Sequence, residues 1–318
     1  MLSAIFFLML GLGLLILGAD RLVLGSASIS RKAGISELAI GLTIVALGTS
    51  MPELIVNIFS ALSGSSEIGI GNVIGSNTFN ILVILGLAAV IRPLVIHRST
   101  VWKEIPFALL AILLVLIMGN DAFFDVTPFN GLTRTDGLAL ISFFIIFLYY
   151  IFGMNRVNHD NAKPVKLYSF PLSFGLIGLG IGGLFLGGKI VVDNAVIIAR
   201  LGGLSESLIG LTIVAAGTSL PELATSVVAA IHKRNDIAIG NIVGSNIFNV
   251  FWVLGLTSTL LPLPFNPMVN FDVLVCLGAT LILLLGIMAG KKYRLSRAEG
   301  VMFLLMYAGY LVYLIQRG

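Results

Sequence analysis

The chain has 318 residues, 58% of them hydrophobic and only 11% charged, with a mean hydropathy of +1.06. A soluble domain carries about 25% charged residues, so the composition excludes a soluble enzyme or binding module. The net charge of +4 and pI near 9.3 would suggest nucleic acid in a soluble protein, but here the basic residues lie in short loops between apolar runs and read as membrane topology.

A membrane-spanning helix needs about 20 apolar residues. Ten such runs are predicted, near residues 2–25, 36–62, 68–91, 103–119, 136–154, 170–200, 205–231, 237–262, 270–290 and 299–316. The first is preceded by no basic segment and followed by no small-residue cleavage site, so it reads as a retained helix. Its Gly11, Gly18 and Gly25, like Gly178, Gly182, Gly183 and Gly187 of the sixth, suit close helix packing or a sliding face. The second and seventh spans open on Ser36-Glu37 and Ser205-Glu206, a serine cap with an acid in the first turn. Residues 156–166 are the only expected linker, between halves 1–155 and 167–318. The single cysteine, Cys276, excludes an internal disulfide.

The halves repeat each other. Gly48-Thr49-Ser50-Met51-Pro52-Glu53 recurs as Gly217-Thr218-Ser219-Leu220-Pro221-Glu222. Gly71-Asn72-Val73-Ile74-Gly75-Ser76-Asn77-Thr78-Phe79-Asn80 recurs as Gly240-Asn241-Ile242-Val243-Gly244-Ser245-Asn246-Ile247-Phe248-Asn249, at the same offset of 169 residues. Five spans per half is an odd number, so the second half must enter the membrane inverted. Loop charge agrees: Ser63-Gly64-Ser65-Ser66-Glu67 has no cation, whereas its counterpart His232-Lys233-Arg234-Asn235-Asp236 is basic. With both termini extracytoplasmic, the cytoplasmic loops collect most of the Lys and Arg, including Arg31, Arg92, Arg98, Arg234, Arg294 and Arg297. The other side holds Arg134, Arg200 and Arg317. His97, His159 and His232 fall in the cytoplasmic loops without a metal-ligand partner at suitable spacing and read as solvated.

The repeated motifs carry the chemistry. Proline removes a backbone donor and clashes with the preceding turn, so each helix should break there and free carbonyls, Ala46 and Ala215 among them. Irregular backbone at membrane depth is tolerated where it lines a cavity or binds a ligand. One mid-span Glu could be a protonated group bonded to backbone. Glu53 and Glu222, equivalent and each beside a Thr-Ser pair, read as cation ligands. Asn80 and Asn249 follow Ser76 and Ser245 by four residues and share a helix face with them. Asn77 and Asn246 fall off that face and read as structural, and Asn72 and Asn241 as helix-breaking or packing residues. The donor set is all oxygen, which suits calcium or sodium and disfavours soft-metal sites.

The paired motifs resemble the two α-repeats of the sodium/calcium exchanger family within the cation/calcium antiporter superfamily, in its small prokaryotic form. The resemblance covers the whole chain. It implies an all-α membrane protein of ten transmembrane helices in two inverted five-helix repeats, exchanging calcium for sodium by alternating access in a prokaryotic plasma membrane. It implies ion ligation by Thr49, Ser50, Glu53, Ser76 and Asn80, and by Thr218, Ser219, Glu222, Ser245 and Asn249, with the Ala46 and Ala215 carbonyls. The first and sixth helices would slide across an eight-helix core. The expected partners are Ca²⁺, Na⁺ and the bilayer. No cofactor, nucleic acid or obligatory protein partner is expected.

Several relatives carry Asp where this chain has Asn249, which argues against potassium dependence and leaves two carboxylates. Their charge of −2 matches one Ca²⁺ or two Na⁺, and a third Na⁺, as the family suggests, would make the cycle electrogenic. The nearest alternative is calcium/proton exchange with Glu53 and Glu222 taking protons. A channel with the same ligands is a weaker reading, since an inverted repeat without a symmetric filter points to alternating access.

Overall fold

In a computed structural model the chain is a helical bundle fastened by two short β-ribbons. The structure describes residues 1–63, 66–124, 129–153, 167–202, 215–289 and 293–317. The linker 156–166, Ser205-Glu206, His159 and the first part of the span near 205–231 lie outside the described residues.

Helices α1 (Leu2–Ala33) and α7 (Phe170–Leu201) have 32 residues each, about 48 Å at 1.5 Å per residue. That exceeds the ~30 Å hydrocarbon core. The two lie against each other with backbones touching. A Cβ on Gly18 would come within 2.7 Å of the Leu184 nitrogen, and one on Gly180 within 2.6 Å of the Leu22 nitrogen. Gly11, Gly25, Gly183 and Gly187 join this seam, while Gly178 and Gly182 face open space. The expectation of close packing therefore holds for only part of the sixth-span set.

Helices α2 (Glu37–Thr49) and α3 (Met51–Leu62) form a pair bent by 44°. Ser36 caps α2 by accepting from the Ala39 N–H at 3.1 Å. The break falls at Ser50 (φ −85°, ψ 7°), and Pro52 sits in the first turn of α3, where its missing N–H would have had no helical partner anyway. The second half repeats this at Ser219 (φ −89°, ψ 6°), ahead of α8 (Leu220–Ile231). Helices α4 (Gly69–Ile91) and α9 (Asn235–Leu260) form the centre, 72% and 94% buried. Both contain a stretch of π-helix, Asn80–Leu85 and Phe248–Leu254, and α2 has another at Gly41–Val45. These widened turns, common at functional sites, have no signature that the sequence reading used.

Around this centre lie α5 (Arg98–Met118), α6 (Arg134–Phe152), α10 (Val269–Met288) and α11 (Arg297–Arg317). Among the described residues eight helices are long and apolar enough to span a membrane, or nine with α2–α3 taken as one span. The described part of the expected seventh span, residues 215–231, holds the 12-residue α8. Strand β1 (Leu94–Val95) pairs antiparallel with β4 (Arg294–Leu295), and β2 (Gly131–Leu132) with β3 (Leu263–Pro264). The ribbons sit at opposite ends of α5 and tie the N-terminal half to the C-terminal half at both ends.

Three side-chain links converge on residues 232–236. His232 Nε2 lies 3.5 Å from Asp20 Oδ1, Arg234 Nη1 2.7 Å from Glu37 Oε1, and His97 Nε2 3.2 Å from Asp236 Oδ2. His97 and His232 are thus not simply solvated: each meets an acid distant in sequence. The hydrogen bond to Asp236, helped by its charge, raises the His97 pKa above the ordinary 6.5.

Candidate cation site

The broken helices bring Glu53 and Glu222 into the first turns of α3 and α8. There the unpaired N–H groups and the helix dipole favour negative charge. Both side chains are fully buried. Each carboxylate accepts hydroxyls from both halves, and always on the same oxygen. Glu53 Oε1 accepts from Ser76 at 3.4 Å and Ser219 at 3.2 Å. Glu222 Oε1 accepts from Ser245 at 3.4 Å and Ser50 at 2.9 Å. The Thr-Ser pairs therefore split in function: the serines reach across to the other half's glutamate.

The threonines bond to amides, although Thr218 also reaches Glu53 and Thr49 also reaches Glu222. Thr49 Oγ1 donates to Asn241 Oδ1 at 3.0 Å, and Thr218 Oγ1 to Asn72 Oδ1 at 3.4 Å. Each hydroxyl oxygen keeps a lone pair for another contact. The Ala46 carbonyl, expected to be freed by the break, accepts from Ser50 N–H at 3.0 Å and lies 3.3 Å from Thr49 Oγ1. The α-helical bonding thus runs on to Ser50 instead of unwinding earlier. Ala215 opens a described stretch, next to residues outside it.

In the centre, α4 and α9 clasp each other through four amides. Asn77 Nδ2 donates to the Asn246 carbonyl at 3.1 Å, and Asn246 Nδ2 to the Asn77 carbonyl at 3.3 Å. Their side-chain oxygens then hold the next pair: Asn80 Nδ2 donates to Asn246 Oδ1 at 2.9 Å and Asn249 Nδ2 to Asn77 Oδ1 at 3.1 Å. This fixes which way Asn80 and Asn249 present their oxygens. Asn77 and Asn246 are structural, with a consequence for orientation that their spacing did not reveal.

Among the buried side-chain atoms without a hydrogen-bond partner, four belong to the expected ligands: Glu53 Oε2, Glu222 Oε2, Asn80 Oδ1 and Asn249 Oδ1. They form two equivalent pairs, one from each half. An unmatched buried polar atom costs about 1–3 kcal/mol, more when charged. Acceptors without donors repel an anion and suit a cation. Among the described residues no three His, Cys, Asp or Glu side chains converge, so a cation held here would need neutral oxygens beside the two carboxylates.

Sequence reasoning underrated the supports. Asn57 Nδ2 donates to the Glu53 carbonyl at 2.9 Å. In the other half Asn241 Nδ2 lies 3.4 Å from the Glu222 carbonyl and donates to Ser226 Oγ at 2.9 Å. Asn72 and Asn241 are thus bridges and not merely packing residues, and their duplication was a signal for that. Asn57 aligns with Ser226, so no identity between repeats marked it.

The profile of the family described as "Sodium/calcium exchanger protein" matches residues 3–153 and 172–316. The chain belongs to the sodium/calcium exchanger family. The sodium/calcium exchanger MaX1 of Methanosarcina acetivorans is 31% identical, with 96% of this chain and 97% of MaX1 covered. CaxA of Alkalimonas amylolytica is 36% identical over 98% of both chains. Among solved structures, one of the sodium-calcium exchanger NCX_Mj, from work on extracellular ion exchange and binding-site occlusion, superposes with a TM-score of 0.83 at 32% identity, covering 98% of each chain. Like these exchangers, the chain is a membrane antiporter by family, and the matches run end to end without a soluble domain inserted between the repeats.

Proposed function

We propose that the chain exchanges calcium for sodium across a prokaryotic plasma membrane by alternating access. The observation that carries this reading is the set of four donor-less buried oxygens, two carboxylate and two amide, related between the halves. The full ligand set is Thr49, Ser50, Glu53, Ser76, Asn80 and the Ala46 carbonyl, with Thr218, Ser219, Glu222, Ser245, Asn249 and the Ala215 carbonyl. The Glu oxygens and the Asn oxygens form the inner contacts. The serines orient the carboxylates, and the threonines offer lone pairs at the periphery.

The architecture proposed is ten spans in two inverted repeats, 1–155 and 167–318, with both termini extracytoplasmic. Two features support it. The ribbons β1–β4 and β2–β3 are equivalent under the repeat, yet lie at opposite ends of the bundle. The two sides of the site also differ in exposure. Thr49 is fully buried, whereas the equivalent Thr218 is half-buried beside a mostly apolar cavity of about 220 Å³ that α7 lines with Phe185 and Val192. A site open on one side and sealed on the other is one state of an alternating-access cycle. The glycine seam between α1 and α7 lets the two move as one sliding unit.

Calcium flux into proteoliposomes under an imposed sodium gradient, and separately under a pH gradient, tests the reading. Sodium-driven uptake without proton-driven uptake is expected. Uptake driven only by the pH gradient overturns sodium coupling in favour of proton exchange. Uptake that needs no counter-ion gradient and rises with calcium without saturating, as through a pore, overturns antiport. Labelling of cysteines introduced at Ser65 and Arg234 must report opposite sides of the membrane, and same-side labelling refutes the inversion.

A further inference from the structure

A second charged feature lies away from the ion site. The end of α4, the β1–β4 ribbon, the first residues of α9 and α11 and the end of α8 surround a cavity of about 720 Å³. Arg92, Arg294 and Arg297 line it, and its walls are apolar, with Ile91, Val95 and Ile231 exposed at 37%, 56% and 56%. Among the described residues none of the three arginines has an acidic partner, although Arg234 nearby is paired with Glu37. Nearby acids are committed elsewhere: Glu299, two residues after Arg297, to the Ser296 N–H and hydroxyl at 2.7 and 2.6 Å, and Asp236, next to the lining residue Asn235, to His97.

The backbone brings these cations together against their own repulsion. The ribbon register sets Leu94 opposite Leu295 and Val95 opposite Arg294. Ile96 N–H donating to the Tyr293 carbonyl at 2.8 Å extends the ribbon by one residue, and Arg92 and Arg297 flank its other end around the hollow. Like charges gathered this closely repel one another. Arg297 also opens α11, a 21-residue helix, where the dipole disfavours a cation. Positive-inside topology explains the sign of these residues. It does not explain three unpaired guanidiniums around one amphipathic hollow.

We propose that this hollow binds the headgroup of an anionic phospholipid of the cytoplasmic leaflet. The phosphodiester would be held by Arg92, Arg294 and Arg297, and the acyl chains would follow the exposed Ile91, Val95 and Ile231. Guanidinium forks match phosphate oxygens in a bidentate manner. A bound phosphate bridges charges that otherwise repel and joins α4 of one half to α11 of the other. The apolar wall selects a lipid over a free anion.

The test uses the full-length purified chain in detergent after delipidation. Phosphatidylglycerol, phosphatidylcholine and inorganic phosphate are titrated separately, with melting temperature and lipid adducts in native mass spectrometry as readouts. Phosphatidylglycerol should raise the melting temperature and persist as an adduct, while phosphatidylcholine and phosphate do neither. Arg92→Gln, Arg294→Gln and Arg297→Gln should each weaken phosphatidylglycerol binding about fivefold, and the triple variant should lose the preference over phosphatidylcholine. Arg134→Gln, at the other face, should change nothing. Equal binding of both lipids by the wild type, or an unchanged preference in the variants, overturns the proposal. Protection by inorganic phosphate at the same concentration overturns it in favour of a free-anion site. If the triple variant does not fold, the single variants decide by adduct count. None of these readouts depends on ion exchange, so failure here leaves the transport reading untouched, and the reverse.

Discussion

Glu53→Gln separates a cation ligand from a structural carboxylate. The substitution preserves the side chain's shape but removes half of the −2 charge and one of the two donor-less carboxylate oxygens. Removing one member of a buried charge pair costs about 3–5 kcal/mol, or roughly two to four orders of magnitude in calcium affinity. Linkage turns this into a melting experiment. At calcium one hundred times the wild-type Kd, binding stabilises the fold by about 2.7 kcal/mol, while a variant bound a hundredfold more weakly retains about 0.4 kcal/mol. At about 2 °C per kcal/mol for a chain of this length, a calcium-induced rise of about 5 °C falls below about 1 °C. The calcium-free protein should respond in the opposite sense. One of two like charges buried at one site is gone, so its melting temperature holds or rises. A structural glutamate would do the reverse, lowering the calcium-free melting temperature and sparing the calcium shift. Retention of the full shift by Glu53→Gln, or by Glu222→Gln, refutes the site.

Gly180→Ala places a Cβ 2.6 Å from the Leu22 nitrogen, so proteoliposome flux should fall at least about tenfold if the seam must slide at close contact; Gly178→Ala, facing open space, should match the wild type, and equal flux in both variants removes the seam from the mechanism. The His97–Asp236 link should make stability pH-dependent. Because the folded state raises the His97 pKa, its contribution is complete below the unfolded value near 6.5 and is lost as pH rises through the higher folded value. The side chain is 62% exposed, so the term stays below about 1 kcal/mol, and the melting difference between wild type and His97→Gln should vanish at alkaline pH; a constant difference disproves the link. Asn249→Asp removes the donor that Asn77 Oδ1 accepts. A neutral Asp can restore that bond through its hydroxyl and an ionised one cannot, so calcium affinity should become pH-dependent, with sodium alone and with sodium plus potassium both measured. An affinity, ion dependence and pH profile identical to wild type would make Asn249 a packing residue.

The site was legible wherever the repeat wrote it twice. Thr49, Ser50, Glu53, Ser76 and Asn80 each have an identical residue 169 positions on, and the helix break shows through Pro52 and Pro221. Partnership was not legible, because identity between repeats says nothing about which half a side chain faces. Ser50 bonds Glu222 and Ser219 bonds Glu53, a crossing that appears once the two halves interlock. The same gap hid the role of Asn77 and Asn246. Helical spacing put them off the face shared by Ser76 with Asn80 and Ser245 with Asn249, and they pair with each other's helix. Yet α4 and α9 meet along that other face, and the π-helical stretches beginning at Asn80 and Phe248 change the angle at which residues beyond it project.

The supports of the broken helices show the limit from another side. The backbone carbonyl of each glutamate takes a side-chain amide donor, but different residues supply it. Asn57 does so in one half and Asn241 in the other, from different elements, so the requirement is repeated while the residue is not. Conversely, the proline motif implied a freed Ala46 carbonyl, whereas the Ser50 N–H closes on it. A break of 44° is reached by interrupting one residue, Ser50, and restarting the helix with proline in its first turn. With the Ser50 N–H still bonded to the Ala46 carbonyl, the break stays confined to a few residues. The proposed ligands can then offer four unmatched side-chain oxygens to a cation that must enter and leave, without unfolding the helices that present them.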